Sequence, residues 1–531
     1  MSSQARMVLA LVLSFVFFIA YEYFMVPQKS PYTAQTKEIN QTNSSTNVAA
    51  PVHTSAATAA PQDASVAATQ QAPVVVKAHE VITVVNGKKF RAEIDTLGRI
   101  AKYEVLIERF KDKDGNYPNV VSDKYALKPL EIRFSDAALN TEAFDVAYKA
   151  DSAALSVIEG NEVLTLTQKL STTTVTKKIT FHNDGSYKLN VSLTQDIPYF
   201  ISPGFRPDQK ADMYAFKGAL IRKAEGNIEK ISDGDAVGNE VFHGANIASA
   251  NDRYYTTSFY DFDNSMSVFI SKDVEENPLV FIKGSTNLTT NGYIGAKEFD
   301  TMKAIDPRLT DVIEYGFFTF LAKPVFLLLK YIHSIVGNWG WAIIIITLLI
   351  RLVLYPLTFK GMVSMNKLKA LSPKIKELQK QHKGDPQKMN AKMMELYKKH
   401  GANPMGGCLP MIMQIPVFFS IYRVLLNAVE LKHAPWTGWI HDLAVMDPYY
   451  VLPVLMGASM FWQQRITPTN FTDPMQEKIM KFLPLIFTFF FVTFPAGLTL
   501  YWFINNLFSV AQQYYVNSIF AKQDKVKAEV S

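Results

Sequence analysis

Arg351 stands inside WAIIIITLLIRLVLYPLTF, residues 341–359, where every neighbour suits a lipid bilayer. A permanent cation at membrane depth costs about 2.5 to 3.5 kcal/mol on insertion scales, so something must offset it. A resident carboxylate is one candidate. The other four apolar runs of the C-terminal half, residues 408–429, 449–462, 482–494 and 498–519, contain no Asp or Glu. They do carry neutral polar groups: Thr347 in the arginine's own run, then Gln414, Ser420, Tyr422, Ser459, Tyr501, Asn505, Asn506, Ser509 and Gln512. Prolines at 356, 410, 416, 453 and 484 disturb the same runs. Irregular backbone at membrane depth is tolerated where it lines a wet cavity. These residue types predict a hydrated groove holding an unpaired guanidinium that receives a transient anionic guest. Snorkelling to the headgroups is the simpler alternative, but Arg351 lies about eight residues, ~12 Å, from the end of its run.

The same residues exclude other chemistry. No His lies in the C-terminal spans, so Ser459 has no base with which to form a protease pair. An ion-coupled carrier would want acids or histidines in its spans and an internal repeat, and neither is found. An anion carrier could still use Arg351. A pure scaffold would not need it. The strand-rich region between Val74 and Pro307 shows no nucleotide loop, metal-ligand cluster or catalytic motif. The expectation for the chain is a protein that is not an enzyme, with no cofactor or metal and no sequence-specific nucleic acid.

The elements that must position these groups follow from charge and apolar pattern. The 531-residue chain is too long for one ordinary domain. Residues 27–316 carry 31 Lys and Arg against 37 Asp and Glu, whereas residues 317–531 carry 22 against 10. An acidic part and a basic part predict two environments. Residues 1–26 read as an uncleaved transmembrane anchor, because the apolar run after Arg6 ends in the bulky Tyr21, Glu22, Tyr23 and Phe24. Residues 27–73 are Gln-, Thr-, Ser- and Ala-rich and read as a flexible linker. Residues 74–310 show short β-branched runs, such as VLTLTQK and YKLNVSLTQD, separated by turn signals at Asn86-Gly87 and Asn183-Asp184-Gly185. They predict a large β-sandwich. Without a cysteine it must rely on its own core, since Cys408 is the one cysteine of the chain and reads as a small buried hydrophobe.

Topology comes from the lysines. Residues 360–404 hold eleven lysines against Glu377, Asp385 and Glu395, which places this loop in the cytoplasm. The crossings close only if residues 315–336 lie flat as an interfacial amphipathic helix, with Lys323 and Lys330 on one face. Six transmembrane helices result: the anchor, helix 2 at 339–359 and helices 3–6 within 405–519, with a cytoplasmic loop at 463–481 and a tail at 520–531. Both termini are then cytoplasmic. The basic loop reads as a helical hairpin broken at Gly384-Asp385-Pro386. Leu368, Leu371, Ile375 and Leu378 recur at helical spacing, and Met389, Met393 and Met394 give the second helix a flexible apolar face. Its charge suits a docking surface for lipid headgroups, ribosomal RNA or a nascent chain.

IIIITLLIRLVLYPLT, NPMGGCLPMIMQIPVFFSIYRVL, WIHDLAVMDPYYVLPVLMG, TDPMQEKIMKFLPLIF and FPAGLTLYWFINNL together resemble the YidC family of bacterial membrane protein insertases, in order from residue 340 to about residue 515. The acidic β-domain behind an anchor resembles the Gram-negative form. The resemblance implies an integral membrane α-helical bundle of six transmembrane helices plus a large all-β periplasmic sandwich domain of sugar-mutarotase type. It implies an insertase and chaperone of the cell inner membrane that passes hydrophilic segments of nascent membrane proteins through a groove and releases their helices into lipid. Partners implied are nascent membrane proteins, the bilayer, and the Sec translocon and ribosome or targeting factors. Arg351 matches the family's groove arginine, joined in the groove by Thr347, Gln414, Tyr501, Trp502, Asn505 and Gln512. Ile415, Pro416, Leu485 and Phe490 fall on its apolar slide. Where Trp502 stands, familiar members carry Tyr, so the ring is kept and the hydroxyl lost. Lys367, Lys374, Lys376, Met389 and Met393 form the expected cytoplasmic capture surface.

Overall fold

The computed structural model describes residues 80–530, apart from 113, 122, 126, 209–214, 383–384, 402–408 and 468–473. The anchor at 1–26, the linker at 27–73 and Cys408 lie outside the described residues. The chain divides into two compact units that meet in sequence at Glu314 and Tyr315.

The first unit is the β-domain. Seventeen strands among its described residues, β1 (Val81–Gly87) to β17 (Asn287–Ala296), form two sheets. One has four strands in the order β3 (Ile100–Val105), β2 (Phe90–Asp95), β1, β6 (Ala154–Val157), and the other has thirteen, with β4 (Ile132–Phe134) and β5 (Lys149–Ala150) at the ends of its main path and β11 (Gly218–Lys223) and β12 (Ile228–Ser232) branching from β13 (Glu240–Asn251). Period-2 alternation decides which side chains go inward. In β8 (Thr174–His182), Val175, Ile179 and Phe181 face in while their neighbours face out. The remaining inward position, the second of four, belongs to Lys177, which is fully buried. Its amine donates to the carbonyls of Gly98 and Leu130 at 2.9 and 2.8 Å, so an ionisable residue occupies a core position with two hydrogen bonds made. The predicted turn at Gly185 is present with φ 91°, and the Asp184 carboxylate accepts from the Ser186 amide and hydroxyl. The sandwich is not purely β, because α1 (Ala137–Asp145) and α2 (Phe299–Ile305) interrupt it.

The second unit is helical. It contains α3 (Thr319–Val336), α4 (Trp339–Val353), α5 (Tyr355–Ala370), α6 (Ser372–Gln381), α7 (Pro386–Lys399), α8 (Leu409–Asn427), α9 (Val451–Ile466), α10 (Pro474–Phe491) and α11 (Ala496–Val530). The expected continuous span at 339–359 is split. α4 stops at Leu354 and α5 leaves at 64°. Pro356 explains the break, since it has no amide hydrogen and its ring crowds the carbonyl one turn back. The expected basic hairpin therefore has a third helix as its root, and that root begins inside the apolar run. The loop expected at 463–481 is shorter, because α9 continues to Ile466 and α10 starts at Pro474.

Among the described residues, α3 alone is long and apolar enough to cross a membrane as one straight helix, and α4 with α5 pass the same test as a bent pair. α3 buries Ala322, Phe326, Leu329 and Ile332, spaced four, three and three apart, against α8 and α4. Phe318 before it stacks on Phe419 of α8, with ring centroids 6.3 Å apart. Its other face leaves Phe320, Tyr331 and Ile335 exposed, as is Phe317 just before it. The expected amphipathic character is thus apolar on both faces, with the buried stripe turned to protein.

Candidate functional site

The break at Pro356 moves Arg351 from the centre of an apolar run to the last turn of α4. Only 6% of its surface is exposed. Its partners come from α11, where Asn505 and Ser509 stand one turn apart and so share a face. Arg351 Nε donates to Asn505 Oδ1 at 2.6 Å, while Nη2 donates to the Asn505 carbonyl at 3.2 Å and to Ser509 Oγ at 2.7 Å. Neutral oxygens of α11 supply these hydrogen bonds. Among the described residues no carboxylate lies within ion-pair distance of it. The charge is hydrogen-bonded but not neutralised, which distinguishes this site from a buried ion pair.

The other expected groove residues cluster about this contact to different degrees. Gln414 of α8 is half-buried, and its Nε2 lies 3.5 Å from Asn505 Oδ1, at the limit of hydrogen bonding. Thr347 is buried, one turn from Arg351, but its hydroxyl is spent on the Ile343 carbonyl at 2.6 Å. Tyr501 is buried with its ring near Phe418. Trp502 sits in an aromatic group, edge-on to Phe418 at 4.7 Å and close to Phe487 and Phe491. Its indole N–H is buried without a hydrogen-bond partner, so the loss of a polar role expected from the Tyr-to-Trp difference matches its packing. Gln512 is 5% exposed, and neither amide atom has a hydrogen-bond partner among the described residues.

The slide residues lie on exposed apolar surface. Leu485 and Phe490 of α10 are 68% and 41% exposed, beside Phe482, Ile486 and Phe489. Ile415 of α8 is exposed and Pro416 half-buried, next to Ile412 and Met413. The basic hairpin separates its expected roles. Lys367, Lys374 and Lys376 are exposed, and Lys374 Nζ lies 3.3 Å from His400 Nε2. Met389 is half-buried, but Met393 packs inward with Leu368, Leu396 and Tyr397 on Leu371 and Ile375. Met393 holds the hairpin together, and Met394, 51% exposed, is the methionine it presents. As expected, Asp385 caps α7, accepting from the Lys388 amide at 3.0 Å.

One residue escaped the reading of the sequence. Arg423 of α8 is 3% exposed, with its guanidinium 5.9 Å from the Tyr422 ring. Its signal in the sequence is the same as for Arg351, a cation in an apolar run, but it stands nearer the end of its run.

Two family models match and between them cover most of the chain: the YidC periplasmic domain over residues 83–328 and the 60Kd inner membrane protein over residues 331–524. A membrane protein insertase YidC of Campylobacter jejuni is 51% identical, covering 99% of this chain and 98% of that one. The chain belongs to the YidC membrane protein insertase family. Relatives of the same name from Wolinella succinogenes and Helicobacter pylori are 50% and 45% identical over 99% of this chain, covering 97% and 98% of theirs. As a YidC family member it is an inner membrane protein with a periplasmic β-domain and a membrane domain, and an insertase rather than a catalyst of covalent chemistry. Family membership also accounts for the two units: the β-strands fall in the periplasmic match and the groove residues in the membrane match.

Proposed function

We propose that this chain carries short hydrophilic segments of nascent membrane proteins across the inner membrane through a hydrated groove beside Arg351. The observation that carries this reading is a buried guanidinium whose described partners are all neutral. Such a cation is held in place yet retains its pull on an anion. An acidic or polar tail entering beside α11 exchanges lost hydration for Arg351, Asn505, Ser509 and Gln414. The exposed lysines of the hairpin capture the incoming segment first. The apolar part then moves along Ile415, Pro416, Leu485 and Phe490 into lipid. Its entry supplies the driving force, about 0.3 to 0.6 kcal/mol per good residue at the helix centre.

The lysines of residues 360–399 support a cytoplasmic hairpin, with the β-domain outside, both termini inside and α3 lying in the interface. The Sec translocon, and the ribosome or targeting factors, are the partners this arrangement suits. The test is reconstitution of the purified protein in liposomes with a small single-span substrate. The tail becomes protected from added protease if the reading is right. Protection no greater than in empty liposomes contradicts it.

A further inference from the structure

Asn505, Ser509, Gln513 and Asn517 follow one another at intervals of four along α11, so they form a single inclined polar row. The first two hold Arg351 on α4. Asn517 holds the root of the basic hairpin, and Gln513 braces Asn517 from within α11. Asn517 Oδ1 accepts from Asn366 Nδ2 of α5 at 3.1 Å and from Gln513 Nε2 at 2.9 Å. Asn517 Nδ2 donates to the Ile466 carbonyl at the end of α9 at 2.9 Å. One amide therefore ties three helices with both of its polar atoms. Between its two fastenings the bent pair α4–α5 turns through 64°. Along α5 the buried residues are Thr358, Gly361 and Ser364, small side chains that allow a close approach, and α5 packs on α11. Beyond Leu371 the hairpin packs through Leu371, Ile375, Met393, Leu396 and Tyr397.

We infer that Asn517 is a positioning residue: it pins the hairpin root to the same ridge of α11 that holds Arg351. The root acts as a fixed strut, and it carries the part of the hairpin beyond Leu371, where α5 ends and α6 begins. Asn517 lies eight residues past Ser509, ~12 Å along the helix, so it sets how far the capture surface stands from the cation. The functional half of this inference rests on the insertase reading, and the geometric half does not.

The test uses the full chain with its one cysteine replaced by Cys408→Ala. Spin labels at Lys380→Cys on the hairpin and Tyr514→Cys on the exposed side of α11 report the distance between them. Asn517→Leu broadens that distribution and slows tail translocation in liposomes several-fold. Asn366→Leu does the same. Asn517→Asp keeps an acceptor for Asn366 and Gln513 and leaves the distribution narrow. A disulfide between Asn366→Cys and Asn517→Cys, in the unlabelled Cys408→Ala chain, preserves translocation when oxidised. An unchanged distribution in Asn517→Leu overturns the inference, as does a block of translocation by the disulfide, which would mean that the root must move. If the unsubstituted protein fails to translocate, the insertase reading fails, and the distance measurement still decides the anchor.

Discussion

Arg351 Nη2 and Ser509 Oγ lie 2.7 Å apart across the α4–α11 contact, a charge-assisted hydrogen bond with no carboxylate to close it. Ser509 Oγ also lies 3.0 Å from the Asn505 carbonyl, which accepts its proton, so its lone pairs remain free for the guanidinium. The cation is oriented by dipoles.

Removing one of these dipoles should be costly. Asn505→Leu takes away both the Oδ1 acceptor of Arg351 Nε and the partner offered to Gln414, and leaves a buried charge underserved. About 1 to 3 kcal/mol of stability is expected to go. Thermal unfolding in detergent checks this, with Arg351→Met, Asn505→Leu as the control. If the loss comes from the unserved charge, the double variant recovers part of it.

Trp502 contributes a ring and not a hydrogen bond, because its indole N–H meets no acceptor. Trp502→Phe is expected to retain most of the stability, whereas Trp502→Ala should lose about 3 to 5 kcal/mol by emptying the space between Phe418, Phe487 and Phe491. Denaturation midpoints of the two variants separate ring from donor. Equal loss in both would show that the N–H matters.

Gly457 marks a close approach of α9 to α10. A methyl group there would overlap the Thr488 hydroxyl, which donates to the Pro484 carbonyl at 2.7 Å. Gly457→Ala should cost about 1 to 3 kcal/mol through overpacking. Thr488→Ala in the same chain should return part of it, which a double-mutant cycle of unfolding midpoints measures.

The β-domain should become more stable as pH rises from neutrality. Burial pushes the Lys177 amine down to about 7, against the partial support of Asp95 and Glu131, with Arg99 opposing. An unfolded lysine titrates near ~10.4, so between those values the unfolded chain holds the additional proton and stability climbs with pH. Lys297, pushed down to about 8, adds a smaller slope of the same sign. Hydrogen exchange of the β8 amides in the full protein, corrected for intrinsic rates, should show protection rising between pH 7 and 9. Lys177→Met should flatten most of that rise.

Much of this architecture was legible in the sequence because periodicity and charge are local signals. The alternation in β8, the Asp385 cap and the basic hairpin all follow from residues a few positions apart. Pro356 was visible too, but its consequence was underestimated: it ends α4 and so places Arg351 in a last turn. What could not be read depends on partners far along the chain. The hydrogen bonds to Asn505 and Ser509 join residues about 150 positions apart. Lys177 looks like any strand lysine until the carbonyls of Gly98 and Leu130 are brought to it. Helical spacing puts Met393 on an apolar face with Met389, but spacing alone does not say which side of that face a neighbouring helix will cover.

The most direct measurement compares tail translocation in liposomes for the unsubstituted protein and Arg351→Ala, with substrates identical except for an acidic or a neutral tail. A cation held only by neutral groups predicts a large loss for the acidic tail and a small loss for the neutral one. Equal rates for the two proteins with both tails, or a loss independent of tail charge, would contradict it.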